Sequence, residues 1–356
     1  MRRESLEFLK ELLATPSPSS FEHRVQRVWL DYAKQFADQV FTDTYGNAVA
    51  FLNPGGSPKV IIVGHADEIG LMVQHVDEDG FIYAVGIGGV DAGAMPGQRV
   101  LIHGRKGPVH GVVGSIAIHM QDKPAEKKAG KPHEQFIDIG VHTEKQTLAR
   151  VAIGDPITFT GEFRILQGDV AVSRVFDNRV GTWAAAETLR LLRRARRKLN
   201  AAVFAVSAVR EETGGKLAQA VARRIEADIA LVTDVGQATD TPGVDKRQYG
   251  QVAMGKGPSV AVGGPILLEV YERLIATAKR EKIPVQTATA PIRSGTDADA
   301  IYSLMGGVAT GLVSLPLRYM HTTVEMADLG DLEAIPKLFT AFCQGLKKGE
   351  RIVAKI

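Results

Sequence analysis

The sequence predicts an α/β fold that is interrupted by a smaller all-β domain. Buried-strand patterns alternate with helical patterns near both ends of the chain, whereas residues 70–160 contain short β-like runs separated by glycine and polar turns. The length of 356 residues also favours two domains, at about 150 residues per domain. We therefore assign residues 1–69 and 161–356 to one α/β domain and residues 70–160 to an inserted β domain.

The chain before the insert reads as two amphipathic helices followed by two strands. The N-terminal segment gives the first helical pattern, and residues 21–37 give the second. Residues 48–52 alternate as a strand does. Residues 59–63 (KVIIV) form a continuous apolar run of the kind found in buried parallel strands, and they end directly on GHADEIG. This pattern places His65 at the carboxyl end of a strand.

The insert and the remainder of the chain differ in the secondary structure that their sequence patterns predict. The β-like runs of the insert include residues 71–75, 81–85, 109–118 and 136–139, with no convincing helix, and the lysine-rich residues 124–132 are expected to form a mobile loop. After the insert, helices are predicted at residues 180–192, 216–225, 265–282, 297–304 and 328–347, and strands at residues 202–209, 229–232, 285–289 and 309–313.

Composition argues against several classes of function. The net charge is only +3, and the basic run at residues 190–198 closes a predicted helix, where cations suit the helix dipole. No run approaches the roughly 18 apolar residues of a membrane span, and charged residues break the apolar pattern that a signal peptide needs. The single Cys343 suits a reducing compartment. We expect a cytoplasmic protein that binds neither nucleic acid nor membranes.

Five segments place metal-binding types of side chain at the ends of apolar runs or in sharp loops. Imidazole together with carboxylate suits zinc, cobalt or manganese. Ligands of an open parallel α/β sheet collect beyond the carboxyl ends of its strands, so these segments are expected to converge. They are His65 in GHADEIG, Asp177 in RVFDNRVG, Glu211 and Glu212 in VREETGG, Asp234 in LVTDVG and His321 in RYMHTTVE.

Taken singly, most of these residues also have an ordinary structural explanation, such as a helix N-cap for Asp177 or a turn for Asp234. The adjacent Glu211 and Glu212 are harder to explain, because two neighbouring carboxylates after an apolar strand repel each other and need a cation. Six of the nine histidines fall in the insert without a metal-binding spacing. The imidazole candidates in the α/β part are therefore His65 and His321.

The order of the motifs H-x-D, D-N-R, E-E-T-G, T-D and M-H-T, with SGTD at residues 294–297, resembles the glutamyl/deblocking aminopeptidase family. Archaeal members of that family form tetrahedral shells, and some bacterial members carry an endoglucanase label. The resemblance covers nearly the whole chain, although residues 116–131 depart from the family's usual insert. It implies a mixed-sheet dimetal aminopeptidase domain, phosphorylase/hydrolase-like in fold, with an insert that serves oligomerisation.

The resemblance also implies two divalent metal ions in each subunit, Zn²⁺ or Co²⁺, with Mn²⁺ as a further candidate. His65 and Asp234 would bind one ion. Glu212 and His321 would bind the other, and Asp177 would bridge both. Peptides would be the substrates, and dimers would assemble into a larger shell such as a dodecamer.

In that scheme Glu211 is the general base and Asp67 orients His65. Two ions about 3.5 to 4 Å apart activate a shared water and polarise the scissile carbonyl. A dimetal deacylase or carboxypeptidase with the same ligands is an alternative. An endoglucanase is disfavoured, because glycosidases need carboxyl groups roughly 5 to 9.5 Å apart and adjacent residues in one loop rarely achieve this. A non-catalytic metal-dependent binding module is a further alternative.

Overall fold

The computed structural model describes residues 1–120, 130–195 and 197–356. In this part of the chain, an eight-stranded mixed sheet, a three-stranded sheet and a closed barrel account for the strands. Helices cover both faces of the eight-stranded sheet. The predicted α/β fold with an additional small β structure is therefore confirmed.

The elements follow one another in the order that the sequence patterns predict, with several strands that those patterns did not reveal. The helices are α1 (Arg3–Ala14), α2 (His23–Ala33), α3 (Glu144–Leu148), α4 (Phe176–Arg194), α5 (Ala218–Ile225), α6 (Lys246–Tyr249), α7 (Leu268–Glu281), α8 (Ala298–Ile301) and α9 (Leu329–Gln344). The strands are β1 (Gln39–Thr42), β2 (Ala48–Leu52), β3 (Lys59–His65), β4 (Gly70–Val76), β5 (Ile82–Ile87), β6 (Arg99–Gly104), β7 (Gly107–Val113), β8 (Phe136–Asp138), β9 (Pro156–Phe159), β10 (Arg164–Ile165), β11 (Val170–Ser173), β12 (Ala202–Ala208), β13 (Ile229–Gln237), β14 (Ser259–Val262), β15 (Gln286–Thr289), β16 (Ala309–Leu317) and β17 (Glu325–Asp328).

The eight-stranded sheet has the order β1-β2-β12-β3-β13-β16-β14-β15. Its central strands β12, β3, β13 and β16 run parallel, so their carboxyl ends lie along one edge. Every residue of β12 and of β16 is buried, which explains why these strands read as continuous apolar runs rather than as an alternation. Helices α1, α2, α4, α7 and α9 contribute to the apolar core on one face, and α5 and α8 to the core on the other.

The barrel is built from consecutive strands of the chain, in the order β4-β5-β8-β7-β6-β9, and it encloses its own apolar core. Two expectations for this region are wrong. The strand predicted to reach residue 118 ends at Val113, and the region contains the short helix α3. The N-cap of this helix is Thr143, whose side chain accepts a hydrogen bond from the Gln146 N–H, and the helix is too short to show a helical period. The loop predicted at residues 124–132 lies largely outside the described residues.

Two further sequence interpretations can be compared with the structure. Strand β13 continues to Gln237 because it pairs with β16 along its whole length, so Asp234 lies within a strand rather than after it. The basic run closes helix α4, where Arg190 pairs with Glu187 and Arg193 pairs with Asp38; its residue 196 lies outside the described residues. None of the helices in the described ranges is long and apolar enough to cross a bilayer.

Helix α4 packs unusually close to strand β3, and Gly64 makes this approach possible. A Cβ atom at Gly64 would lie 2.6 Å from the Thr182 backbone nitrogen and still closer to the backbone of Gly181. Real Cβ atoms do not approach backbone atoms this closely, so any side chain at this position would force the helix and the strand apart. Because Gly64 precedes His65, the close packing also fixes the end of β3.

We expect Gly64→Ala to lower the free energy of unfolding by about 1–3 kcal/mol, because the added methyl group overpacks a rigid backbone contact. Urea unfolding measures this change. Gly55→Ala is the matched control: a Cβ at Gly55 meets nothing within 4 Å, so its effect should stay within about 0.5 kcal/mol. Equal stabilities of the two variants would contradict the packing argument.

Candidate metal centre

The parallel strands bring the predicted site residues together at one edge of the eight-stranded sheet. His65 is the last residue of β3, and Glu211 and Glu212 follow β12 in a sharp loop. Asp234 lies in β13, two residues beyond Val232, the last residue of β13 that pairs with β3. Asp177 and His321 approach from the start of α4 and from the loop after β16. The order of the strands thus brings residues that are far apart in the sequence into one cluster.

Within this cluster, two sets of donor atoms form, and they share Asp177. The first set is His65, Asp177 and Asp234, and the second is Asp177, Glu212 and His321, with the donor atoms of each set within 4.8 Å of one another. Each set combines one imidazole with two carboxylates.

Asp177 directs one carboxylate oxygen to each set. Its Oδ1 lies 3.3 Å from the Nε2 of His65, and its Oδ2 lies 3.3 Å from the Nε2 of His321. The sets are completed by Asp234, 3.8 Å from the His65 Nε2, and by Glu212, 3.5 Å from the His321 Nε2. A single carboxylate placed in this way can bridge two bound ions.

Glu211 belongs to neither donor set, although its Oε2 lies 4.0 Å from the Nε2 of His65. Glu211 and Glu212 are adjacent in the chain, but only Glu212 contributes an atom to a donor set. The structure therefore separates two neighbouring carboxylates that sequence spacing alone cannot distinguish.

The loop that carries Glu211 and Glu212 is held through its backbone by Asp67. The Asp67 carboxylate accepts the Glu211 N–H at 3.0 Å and the Glu212 N–H at 3.1 Å, and the Ser19 hydroxyl donates to it at 2.6 Å. Its Oδ1 also lies 3.4 Å from the Nδ1 of His65. Asp67 thus contacts both His65 and the loop after β12, and it connects the end of β3 to that loop.

The electrostatics of the cluster reflect many buried carboxylates in a small volume. Burial raises the pKa of Glu212 and of Asp234 well above the usual range, and the Asp177 carboxylate adds to both shifts. Burial acts on Asp177 in the same direction, but hydrogen bonds from both imidazoles lower its pKa to about 2. The hydrogen bond with Asp177 in turn raises the pKa of His321 to about 9.

The donor sets fit divalent metal ions. Imidazole nitrogen and carboxylate oxygen are the donors that zinc, cobalt and manganese accept in proteins. In residues 1–120, 130–195 and 197–356, no lysine or arginine forms an ion pair with Asp177, Glu212 or Asp234. Burial, together with the Asp177 carboxylate, raises the pKa of Glu212 and of Asp234, and a bound cation would act in the opposite direction.

Two cavities meet at the cluster. The larger, of about 810 Å³, is lined by both imidazoles and by all four carboxylates of the cluster. The smaller, of about 270 Å³, reaches Asp177, Glu212 and His321 from the barrel side, and its lining includes Val90, Phe159 and other apolar side chains. The cluster is therefore accessible, with room for a substrate on two sides.

The structure brings together every residue that the sequence singled out for the site. Three buried residues around it were missed. Ser19 donates to Asp67, Glu22 accepts the Arg210 N–H at 3.2 Å, and Glu325 accepts hydrogen bonds from the backbones of Asp177 and His321. Only Glu325 had a sequence signal, because it lies in the motif RYMHTTVE.

Comparisons with known proteins give matches over most of the chain. The family described as M42 glutamyl aminopeptidase matches residues 46–338. A lysyl aminopeptidase of Pyrococcus furiosus is 31% identical over 347 residues, which cover 96% of this chain and 97% of the relative.

Solved structures are similar over the same extent. A TET aminopeptidase from the archaeon Thaumarchaeota archaeon SCGC AB-539-E09 superposes with a TM-score of 0.91 at 30% identity, covering 96% of both chains. The TET1 peptidase of Pyrococcus horikoshii, described as able to assemble into a tetrahedron or a large octahedral shell, gives a TM-score of 0.85 at 28% identity. That match covers 96% of this chain and 100% of the other.

Proposed function

Since this chain belongs to the M42 glutamyl aminopeptidase family and is an aminopeptidase, we propose that its two donor sets hold two divalent ions for peptide hydrolysis. The observation that carries the proposal is the pair of donor sets that share Asp177, with Glu211 beside them and in neither. A shared carboxylate allows two like charges to bind close together, and the remaining carboxylate is left for proton transfer.

In this proposal His65 and Asp234 would hold one ion, and Glu212 and His321 would hold the other. Asp177 would help to hold both. Zn²⁺ and Co²⁺ are the favoured ions, with Mn²⁺ as a third candidate, because these ions accept mixed imidazole and carboxylate ligands. Bound ions would also offset the burial and the charge repulsion that raise the pKa of Glu212 and of Asp234.

When bound, such a pair of ions lowers the pKa of a water molecule and polarises the scissile carbonyl group. Glu211 accepts the proton of the attacking water and delivers it to the leaving amine. Its position suits this role, because it lines the larger cavity and burial raises its pKa, which makes the carboxylate a stronger base. Asp67 keeps the Glu211 backbone and the His65 ring in place.

We also propose that residues 70–160 are an inserted domain that joins subunits into a homo-oligomer, and that the chain works in the cytoplasm. Large apolar side chains are exposed in this region: Val112 is 46% exposed, Ile116 62% and Met120 78%. Surface of this kind commonly marks an interface. The similar Pyrococcus horikoshii peptidase assembles into closed shells, which supports a dodecamer or a comparable shell here. The single, buried Cys343 suits a reducing compartment.

Removal of metal should abolish activity, and Zn²⁺, Co²⁺ or Mn²⁺ should restore it. A panel of aminoacyl-anilides, assayed beside N-acyl amino acids and carboxymethylcellulose, measures turnover and separates an aminopeptidase from the alternative hydrolases. Full turnover by protein shown to contain no metal would refute the proposal.

Each of these ions should stabilise the fold by about 2.7 kcal/mol when the free ion is at 100 times its Kd, because it binds only the folded state. Thermal unfolding with and without ions measures this effect. His65→Ala should lose the share of the ion that His65 helps to hold, roughly half of the increase when both ions bind equally well. His23→Ala, which changes an exposed histidine away from the site, is the matched control and should keep it.

Glu211→Gln and Glu212→Gln should fail in different ways. The first variant keeps the shape of the side chain but cannot accept a proton, so activity should fall roughly 100-fold or more while both ions remain. The second should lose metal and, with it, activity. Metal analysis and turnover of both variants test the assignment: loss of metal from Glu211→Gln would exchange the two roles, and normal turnover would remove Glu211 as the base.

Subunit assembly should depend on the exposed apolar side chains of the barrel region. Val112→Asp with Met120→Asp should reduce the particle mass measured by light scattering, because a buried charge disfavours an interface. Leu268→Asp, at an exposed position of α7 that is 52% exposed, serves as the control. A particle mass that does not change in the double variant would argue against this interface.

A further inference from the structure

Glu325 connects the two segments that supply most of the second donor set. It is the first residue of β17 and is 2% exposed. Its Oε1 accepts the His321 N–H at 2.9 Å, and its Oε2 accepts the Asp177 N–H at 3.1 Å. We propose that Glu325 is a positioning residue that sets the affinity of the second metal site, formed by Asp177, Glu212 and His321.

The backbone of His321 explains why this position needs support. Its φ of 63° lies in the left-handed region. A residue with a Cβ atom adopts this backbone conformation only when its surroundings hold it there. Glu325 holds the backbone through the N–H group, and the carbonyl of Gly89 holds the ring through Nδ1 at 3.0 Å. Together these contacts aim the Nε2 at Asp177 and Glu212, at 3.3 and 3.5 Å.

The contacts of Glu325 are specific to one donor set. It bonds to the backbones of Asp177 and His321, and within the described residues no hydrogen bond or ion pair joins it to His65 or Asp234. Loss of these bonds would therefore disturb the second set while leaving the residues found only in the first set in place. Asp177 is shared, but the Nε2 of His65 contacts its side chain independently.

Asp67 has the equivalent role on the other side of the site. Its carboxylate also accepts two backbone N–H groups, those of Glu211 and Glu212. Two buried carboxylates thus fix the three chain segments that carry Asp177, Glu212 and His321, one from each side. Neither carboxylate belongs to the donor sets, so both act through the residues they hold.

A purely structural role for Glu325 is the competing explanation, and Asp331 provides a matched control for it. Asp331 is 4% exposed and accepts the N–H groups of Gly255 and Gly257, both at 2.6 Å. Like Glu325, it ties two backbone positions together, but it does not line either cavity of the site. Asp331→Asn should therefore lower the melting temperature without changing the affinity for metal.

The test is a Co²⁺ titration of the demetallated full-length chain, followed by the visible absorption of bound cobalt and by metal analysis. It rests on the proposed function, in which the wild-type chain binds two ions. In Glu325→Gln, an amide group faces a backbone N–H, so one of the two hydrogen bonds is lost. We expect one ion to bind about 10–100-fold more weakly than in the wild type, while the other ion binds as before.

Unchanged affinity for both ions in Glu325→Gln would overturn the inference, and so would an equal loss at both sites. If that variant does not fold, Glu325→Asp, which keeps the charge on a shorter side chain, should show the same selective loss. A wild-type chain that binds fewer than two ions would refute the proposed function itself, and the inference with it. The two failures are therefore distinguished by the wild-type titration.

Discussion

Repulsion between buried carboxylates is the constraint on which this site depends. Asp177, Glu211, Glu212 and Asp234 lie around two imidazoles at the edge of a largely apolar sheet. Burial raises the pKa of Glu212 and of Asp234, and the Asp177 carboxylate raises both further. Hydrogen bonds from the two imidazoles lower the pKa of Asp177. Such a cluster of buried charges destabilises the folded state, and clusters of this kind are concentrated at functional sites. In the proposed site, bound divalent ions would offset this destabilisation.

Backbone hydrogen bonds keep the repelling side chains from moving apart. Glu22, Asp67 and Glu325 each place a buried carboxylate against N–H groups of the loops that carry the site. The bonds that Asp67 accepts are charge-assisted, because the His65 imidazole lowers its pKa against the effect of burial, and such bonds are stronger than neutral ones. The left-handed φ of 62° at Arg210 and of 63° at His321 is thereby held at both loops. The geometry is set before any substrate arrives, as efficient catalysis requires.

The sequence revealed His65, Glu212 and Asp234 because they follow or lie in apolar parallel strands, which end at a common edge, whereas Asp177 lies at the start of α4 and His321 in the loop after β16. It revealed less of the barrel, since its patterns did not mark β6 and β9. Ser19, Glu22 and Glu325 could not be assigned roles, because those roles depend on contacts far away in the chain: with the Asp67 carboxylate for Ser19, and with backbone N–H groups for the two glutamates. No local pattern marks such a contact. Resemblance to a family, rather than spacing, separated the roles of Glu211 and Glu212.

The position of the barrel between β3 and β12 has a consequence for the order of folding. Strands β4 to β9 pair with one another within residues 70–159, whereas β3 pairs with strands that follow the whole barrel. Closing short loops costs less entropy than closing long ones, and contacts of low contact order form faster. During synthesis the barrel is thus able to form before β12 and β13, the two strands that pair with β3, have been made. His321, which follows β16, is the last donor to emerge, so the second donor set is completed only when the sheet is nearly finished.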